Sequence, residues 1–274
     1  MDVPSFFPDH LILENQLKNY ETLQITRSGE ILKIALNRPK LNLFNEKMIR
    51  ELTHAFTRQR DNMDIRFIIL TATGENFTAG VDLKEFGSRD IKPVDGRKNQ
   101  LLGHDLMHSI ENLEQVTVAS LRGIVCGAGM AIAQACDFRI MTEDSYFLVP
   151  ETQIGTYYTW GCTPRLVRMV GASKAMEIIM TCDPLNAEEA YRLNLANKVV
   201  KNESLDEETN KFIDKIVSKS PTSIRITKKI VQGASMVGFG NMLPVEPELM
   251  QGLVHTGETK EGISAFLKRQ PPKY

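Results

Sequence analysis

Apolar and polar positions change period several times along the first 150 residues. "LQITRS" (23–28) and "ILKIALN" (31–37) are short β-rich runs separated by Gly29, which predicts a hairpin. "EKMIRELTHAF" carries its apolar residues at helical spacing, and "IRFIILTAT" is an apolar run without alternation, as in a strand buried on both faces. "TVASLRGIV" predicts one further strand, "AGMAIAQAC" a buried helix, and "FRIMT" and "YFLVPE" two more strands. That order predicts an α/β domain whose parallel sheet is covered by helices. From Ala172 onward the pattern is almost entirely helical, through "SKAMEIIMTC", "NAEEAYRLN", "LDEETNKFIDKIVSK", "SIRITKKIVQGA" and "KEGISAFLKR". Gly238, Gly240, Pro244 and Pro247 punctuate the late segment, and no repeat or low-complexity tract interrupts the chain.

Composition narrows the function classes. With 274 residues, 42% of them hydrophobic, the chain can bury a large core. Its 33 basic and 34 acidic residues nearly cancel, which gives no electrostatic reason to expect nucleic acid or an anionic membrane as partner. No run approaches the roughly 20 apolar residues of a membrane span, and "MDVPSFFPDH" lacks the basic and apolar regions of a signal peptide. The four cysteines, Cys126, Cys136, Cys162 and Cys182, form no CxxC pair and fit reduced thiols in a cytoplasmic setting.

Three features are candidates for chemistry. Gly127-Ala128-Gly129, between a strand and a helix, resembles a dinucleotide cradle, but the third small position is Ile132 and no acidic residue follows at the required distance. "HDLMH" (104–108) spaces two histidines like a zinc helix, yet Asp105 is short for the water-activating role and no third ligand presents itself. The third feature pairs "ENFTAGVDLKEF" (75–86) with Gly127–Gly129. In both, small residues let backbone approach a ligand, and the second opens a helix whose unpaired N–H groups favour negative charge. Two N–H groups from separate loops converging on one point make an oxyanion hole.

These stretches resemble the crotonase superfamily, the enoyl-CoA hydratase/isomerase group. "ILKIALNRPKLNLFN" is similar to the family's strand and Asn-Arg-Pro turn, one residue shorter than usual, and "NFTAGVDLKEF" to its first oxyanion segment. "VASLRGIVCGAGMAIAQACDFRI" is similar to the second, and "YFLVPETQIGTYYTWGCTPRLVRMVGASKAMEIIMT" to the segment holding a catalytic glutamate. "EGISAFLKR" resembles the end of the C-terminal helix. The resemblance implies an α/β fold: a ββα spiral core with the acyl-CoA site over residues 1–200, and a helical C-terminal region, 201–274, that builds a homotrimer or hexamer. It also implies a coenzyme A thioester as substrate and no permanently bound cofactor or metal.

Carried over by position, the oxyanion donors are the backbone N–H groups of Val81 and Ala128, and the catalytic carboxylate is Glu151. The same correspondence assigns Leu41, Ala79, Asp82, Leu83, Gly127, Tyr157, Tyr158 and Trp160 to substrate binding, and Lys84, Phe266 and Arg269 to the CoA moiety. Two departures stand out. The first of the family's two glutamates is replaced by Ala131, and Tyr157-Tyr158-Thr159-Trp160-Gly161-Cys162 stands where the family often has Ile-Pro-Gly-Ala-Gly-Gly. Thr163 before Pro164 reads as the cap of the following helix. One carboxylate with an oxyanion hole suits 3-enoyl-CoA to 2-enoyl-CoA isomerisation, since adding water usually needs a second orienting group. Thr159, where a dienoyl-type isomerase carries aspartate, speaks against that subclass. Hydratase, hydratase-lyase, decarboxylase and hydrolase chemistry stay open because of the aromatic segment, and so does a non-catalytic binding or structural subunit.

Overall fold

The computed structural model describes residues 20–87 and 93–237, with isolated positions from 257 to 273. In chain order the elements are β1 (Leu23–Ser28), β2 (Ile31–Leu36), α1 (Glu46–Thr57), β3 (Phe67–Ala72), α2 (Leu83–Gly87), α3 (Pro93–Glu111), β4 (Val116–Leu121), β5 (Ile124–Cys126) and α4 (Ala128–Ala135). There follow β6 (Phe138–Thr142), β7 (Tyr146–Leu148), α5 (Cys162–Val170), α6 (Ala172–Thr181), β8 (Leu185–Asn186), α7 (Ala187–Arg192), β9 (Lys198–Val200), α8 (Leu205–Val217) and α9 (Pro221–Val237).

The hairpin forms as expected, with Ser28 opposite Ile31 and Gly29 turning at φ +57. Asn45 caps α1 by accepting from the Met48 N–H, and the helix buries Met48, Ile49, Leu52, Ala55 and Phe56 at helical spacing. The large sheet has the order β1-β2-β3-β4-β6-β9, antiparallel at β1–β2 and parallel from there on. Both of its faces are covered, which is why β3 reads as an apolar run without alternation and why β3 and β4 are buried at every position. Ile68 and Leu70 belong to the main core with α1, α3 and α4, whereas Phe67 and Ile69 face the other way and pack in a second core with Leu205 and Ile213 of α8. The buried Lys228 pins α9 to this body, donating to the Gln115 carbonyl and to Asp137 Oδ2, both at 2.7 Å.

Two sequence readings need correction. "TVASLRGIV" is two strands in two sheets: the chain breaks at Arg122-Gly123, and β5 pairs in parallel with β7 in a small sheet of order β5-β7-β8. Gly123 makes the break possible, for it holds φ +55 and a Cβ there would lie 2.4 Å from the Glu75 carbonyl oxygen. This alternation between sheets, β4 to β5 and then β6 to β7 after α4, is the spiral. The second correction concerns the region after Ala172, which contains β8 and β9 among its helices. With two and three residues these strands are too short to leave a periodic signal. The expected helix over "KEGISAFLKR" lies outside the described residues except at isolated positions.

Candidate active site

The segments after β3 and along β5 run side by side. Thr78 and Val125 form a parallel bridge, in which the Thr78 N–H donates to the Ile124 carbonyl and the Cys126 N–H to the Thr78 carbonyl, both at 3.0 Å. Two residues on, Phe44 donates to the Gly80 carbonyl at 2.8 Å and accepts from the Asp82 N–H at 2.9 Å. A parallel bridge borrows the groups on either side of the bridged residue, so Val81 keeps its own N–H out of the pairing. The N–H groups of Ala79 and Gly80 are engaged by the Leu41 carbonyl and by Thr78 Oγ1, while that of Val81 meets no acceptor among the described residues.

Ala128 is the first residue of α4, and the first helical bond runs from the Ala131 N–H to the Gly127 carbonyl at 2.9 Å. The N–H groups ahead of it are left for another acceptor, at the positive end of the helix dipole. The glycines beside it serve close packing. Gly127 sits at φ +49, and a Cβ on it would stand 3.0 Å from Glu151 Oε1; one on Gly129 would come within 2.4 Å of Thr78 Cγ2. The glycine pattern that resembles a phosphate cradle is thus spent on bringing α4 up against Thr78 and Glu151.

Glu151 follows β7 and opens a single 3₁₀ turn, Thr152–Ile154. Thr152 Oγ1 ties this turn to α6 by donating to the Ile179 carbonyl at 2.7 Å. The carboxylate's Oε2 is buried without a hydrogen-bond partner among the described residues. Desolvation raises the Glu151 pKa above its ordinary value.

Glu151, Val81 and Ala128 line one cleft of about 300 Å³. Ala79, Leu83, Gly127, Tyr157, Tyr158 and Trp160, expected to bind substrate, line it too, as does Ala131. Leu41 and Asp82 stand outside the lining. Leu41 gives its carbonyl to Ala79, and Asp82 pairs with Arg38 at 2.9 Å, which holds its carboxyl below the usual range. Lys84 is exposed on α2, also outside the lining, and Phe266 and Arg269 lie outside the described residues. The sequence reading missed Ile49 of α1 and Asn99, Gln100 and Leu102 of α3, which line the cleft through helix packing that no local pattern announces. It also missed Cys126 and Cys162; burial pushes these thiols up to about 11 and about 12, so both stay protonated and inert near neutral pH.

The three aromatic residues do different things. Of the residues lining the cleft, Tyr157 and Leu83 are exposed, whereas Tyr158, Trp160, Cys162 and Ala131 are buried. Tyr158 Oη donates to Gln134 Oε1 at 3.3 Å, one helical turn past Ala131. Trp160 has φ +55, and its carbonyl accepts from Arg165 Nη1 at 2.9 Å. Arg165 is in turn held by both carboxylate oxygens of Glu111 at 2.5 Å. Gly161, at φ +73, occupies the cap position of α5, and Thr163 is already inside the helix, where its hydroxyl donates to the Tyr158 carbonyl at 2.7 Å. Among the described residues no group of three metal-ligating side chains forms, at His104 and His108 or elsewhere, and no helix is long and apolar enough to cross a membrane.

Comparison with known proteins accords with this architecture. The family model described as enoyl-CoA hydratase/isomerase matches residues 26–274. The short-chain-enoyl-CoA hydratase of Clostridium acetobutylicum is 30% identical over 248 residues, covering 90% of this chain and 94% of that protein. A probable enoyl-CoA hydratase of Rhizobium meliloti is 33% identical over 257 residues, covering 93% and 98%. Among solved structures, an enoyl-CoA hydratase from Bacillus anthracis superimposes with a TM-score of 0.88 at 30% identity, over 93% of this chain and 99% of that one. Sequence, spiral fold and cleft agree: the chain belongs to the enoyl-CoA hydratase/isomerase family.

Proposed function

We propose that this protein binds an acyl-CoA thioester in the cleft and shifts a double bond from the 3- to the 2-position, with Glu151 as its acid/base group. The observation that carries this reading is that Glu151 is the one acidic residue lining the cleft among the described residues, with a carboxylate oxygen buried and unpartnered. Glu151 removes a proton from the carbon alpha to the thioester. The electron pair moves onto the thioester oxygen, where the N–H groups of Val81 and Ala128 receive the charge. Each such donor is worth roughly 3 kcal/mol of barrier. Collapse of the dienolate moves the double bond, and the protonated Glu151 returns its proton to the gamma carbon. A carboxyl with a raised pKa is suited to both transfers, because it holds and releases protons nearer neutral pH.

Hydration is the second reading. It is favoured by the names of the hydratase relatives and by the Tyr158 hydroxyl, a buried polar group of the cleft lining that Gln134 orients from one turn past Ala131. A non-catalytic subunit is disfavoured, since a buried carboxylate without a partner is costly unless it acts. Incubation with a 3-enoyl-CoA and with a 2-enoyl-CoA, followed by chromatographic separation of the two isomers and mass spectrometry, separates the readings. The expected result is interconversion of the two without gain of water; a dominant product heavier by one water from the 2-enoyl ester establishes hydration instead. Lys84, Phe266 and Arg269 contact the CoA moiety in this proposal, and the exposed Met176, Met180 and Val231 pack between copies in a trimer.

A further inference from the structure

Trp160, one of the buried residues that line the cleft, is built into its position from three directions. Its backbone is in the left-handed region, at φ +55, which is uncommon for a non-glycine residue and needs support from its surroundings. Its carbonyl is fixed by Arg165, whose guanidinium is itself clamped by Glu111 at the end of α3. Its indole lies in a slot cut into α3 at Gly103, where a Cβ would fall 2.1 Å from the ring atoms Cε2 and Nε1. A glycine inside a helix weakens it relative to alanine, and at this position the indole supplies a packing reason for one. The same helix thus supplies both the recess for the ring and the anchor for the backbone, and Trp160 lines a cleft at the small end of the range for ligand sites.

We propose that Trp160 is the end wall of the acyl pocket, set in place by Gly103 and by the Arg165–Glu111 pair, and that it restricts the protein to short acyl chains. This rests on the acyl-CoA reading but not on the reaction class, so the test uses saturated esters that undergo no chemistry. Affinities of acetyl-, butanoyl-, hexanoyl- and decanoyl-CoA are measured by calorimetry for the wild type, Trp160→Ala and Gly103→Ala. A methylene that gains full burial is worth about fourfold in affinity. For the wild type, affinity rises from acetyl to butanoyl and stops rising by decanoyl. In Trp160→Ala the ratio of decanoyl to butanoyl affinity increases by about tenfold or more. In Gly103→Ala the displaced ring shortens the pocket, and butanoyl-CoA loses its advantage over acetyl-CoA. Should Trp160→Ala fail to fold, Trp160→Leu and Gly103→Ala carry the test. A wild-type affinity that keeps climbing to decanoyl, or ratios unchanged in the folded variants, overturns the end-wall assignment while leaving the acyl-CoA reading intact. Absence of any acyl-CoA binding by the wild type overturns both.

Discussion

Glu151 Oε1 occupies the space in front of Gly127, only 3.0 Å from where a side chain on that residue would begin. The carboxylate and the first turn of α4 are therefore fitted to each other across the cleft. Gly127→Ala must move the carboxylate and also hold an alanine at φ +49, a strain of about 1–3 kcal/mol. The expected outcome is a lower thermal midpoint together with a kcat lowered by less than the roughly 100-fold that a misplacement of about 1 Å costs, because the carboxylate has only to give by a fraction of that distance. Steady-state kinetics and thermal unfolding of the variant check both.

Glu151→Gln keeps the shape of the side chain and removes its basicity. The expected result is a fall in kcat of about 10²–10⁴-fold with little change in the affinity for a saturated acyl-CoA. An undiminished kcat would refute the assignment of proton transfer to Glu151.

The raised pKa of Glu151 has two consequences with pH. As a base the group must be ionised, so the acidic limb of kcat/KM is expected above the ordinary carboxylate range. For stability the sign is opposite to that of a paired carboxylate. The fold favours the protonated form, so the folded protein binds more protons than the unfolded chain between the ordinary and the raised pKa, and stability falls as pH rises through that window. Denaturant melts from pH 4 to 8 should show this loss in the wild type and not in Glu151→Gln.

Ala131→Glu restores a second carboxylate at the position where the family resemblance expects one. The ratio of 3-hydroxyacyl-CoA to isomerised product is expected to rise. A wild type that already hydrates crotonyl-CoA efficiently with Ala131 in place contradicts the reasoning behind this variant.

Glu111→Ala leaves the buried guanidinium of Arg165 without its carboxylate, with only the Trp160 carbonyl still accepting from it among the described residues. Breaking a buried pair from one side typically costs about 3–5 kcal/mol. Chemical denaturation is expected to show a loss of that size.

The candidate site was legible in the sequence where its shape is set by backbone. Gly80, Gly127 and Gly129 are visible as small residues in the two segments; Gly127 and Gly129 are required by close approaches and Gly80 by its φ of +95. Glu151 was legible through its surrounding motif. The wall of the cleft was not, because Ile49, Asn99 and Leu102 reach it by the packing of α1 and α3, and such long-range contacts leave no periodic trace in either helix. The β4–β5 break was missed for a related reason. Both halves are β-rich and largely buried, and only Arg122 and Gly123 separate them, residues that an uninterrupted strand can also contain.

The bridge between Thr78 and Val125 couples the two backbone segments on which Val81 and Ala128 ride. Because each segment donates a hydrogen bond to the other, neither can breathe without dragging its neighbour along. Thermal motion then shifts the pair as one body and leaves its internal spacing unaltered, so the amides of Thr78 and Cys126 should exchange with solvent together and slowly, in one cooperative opening.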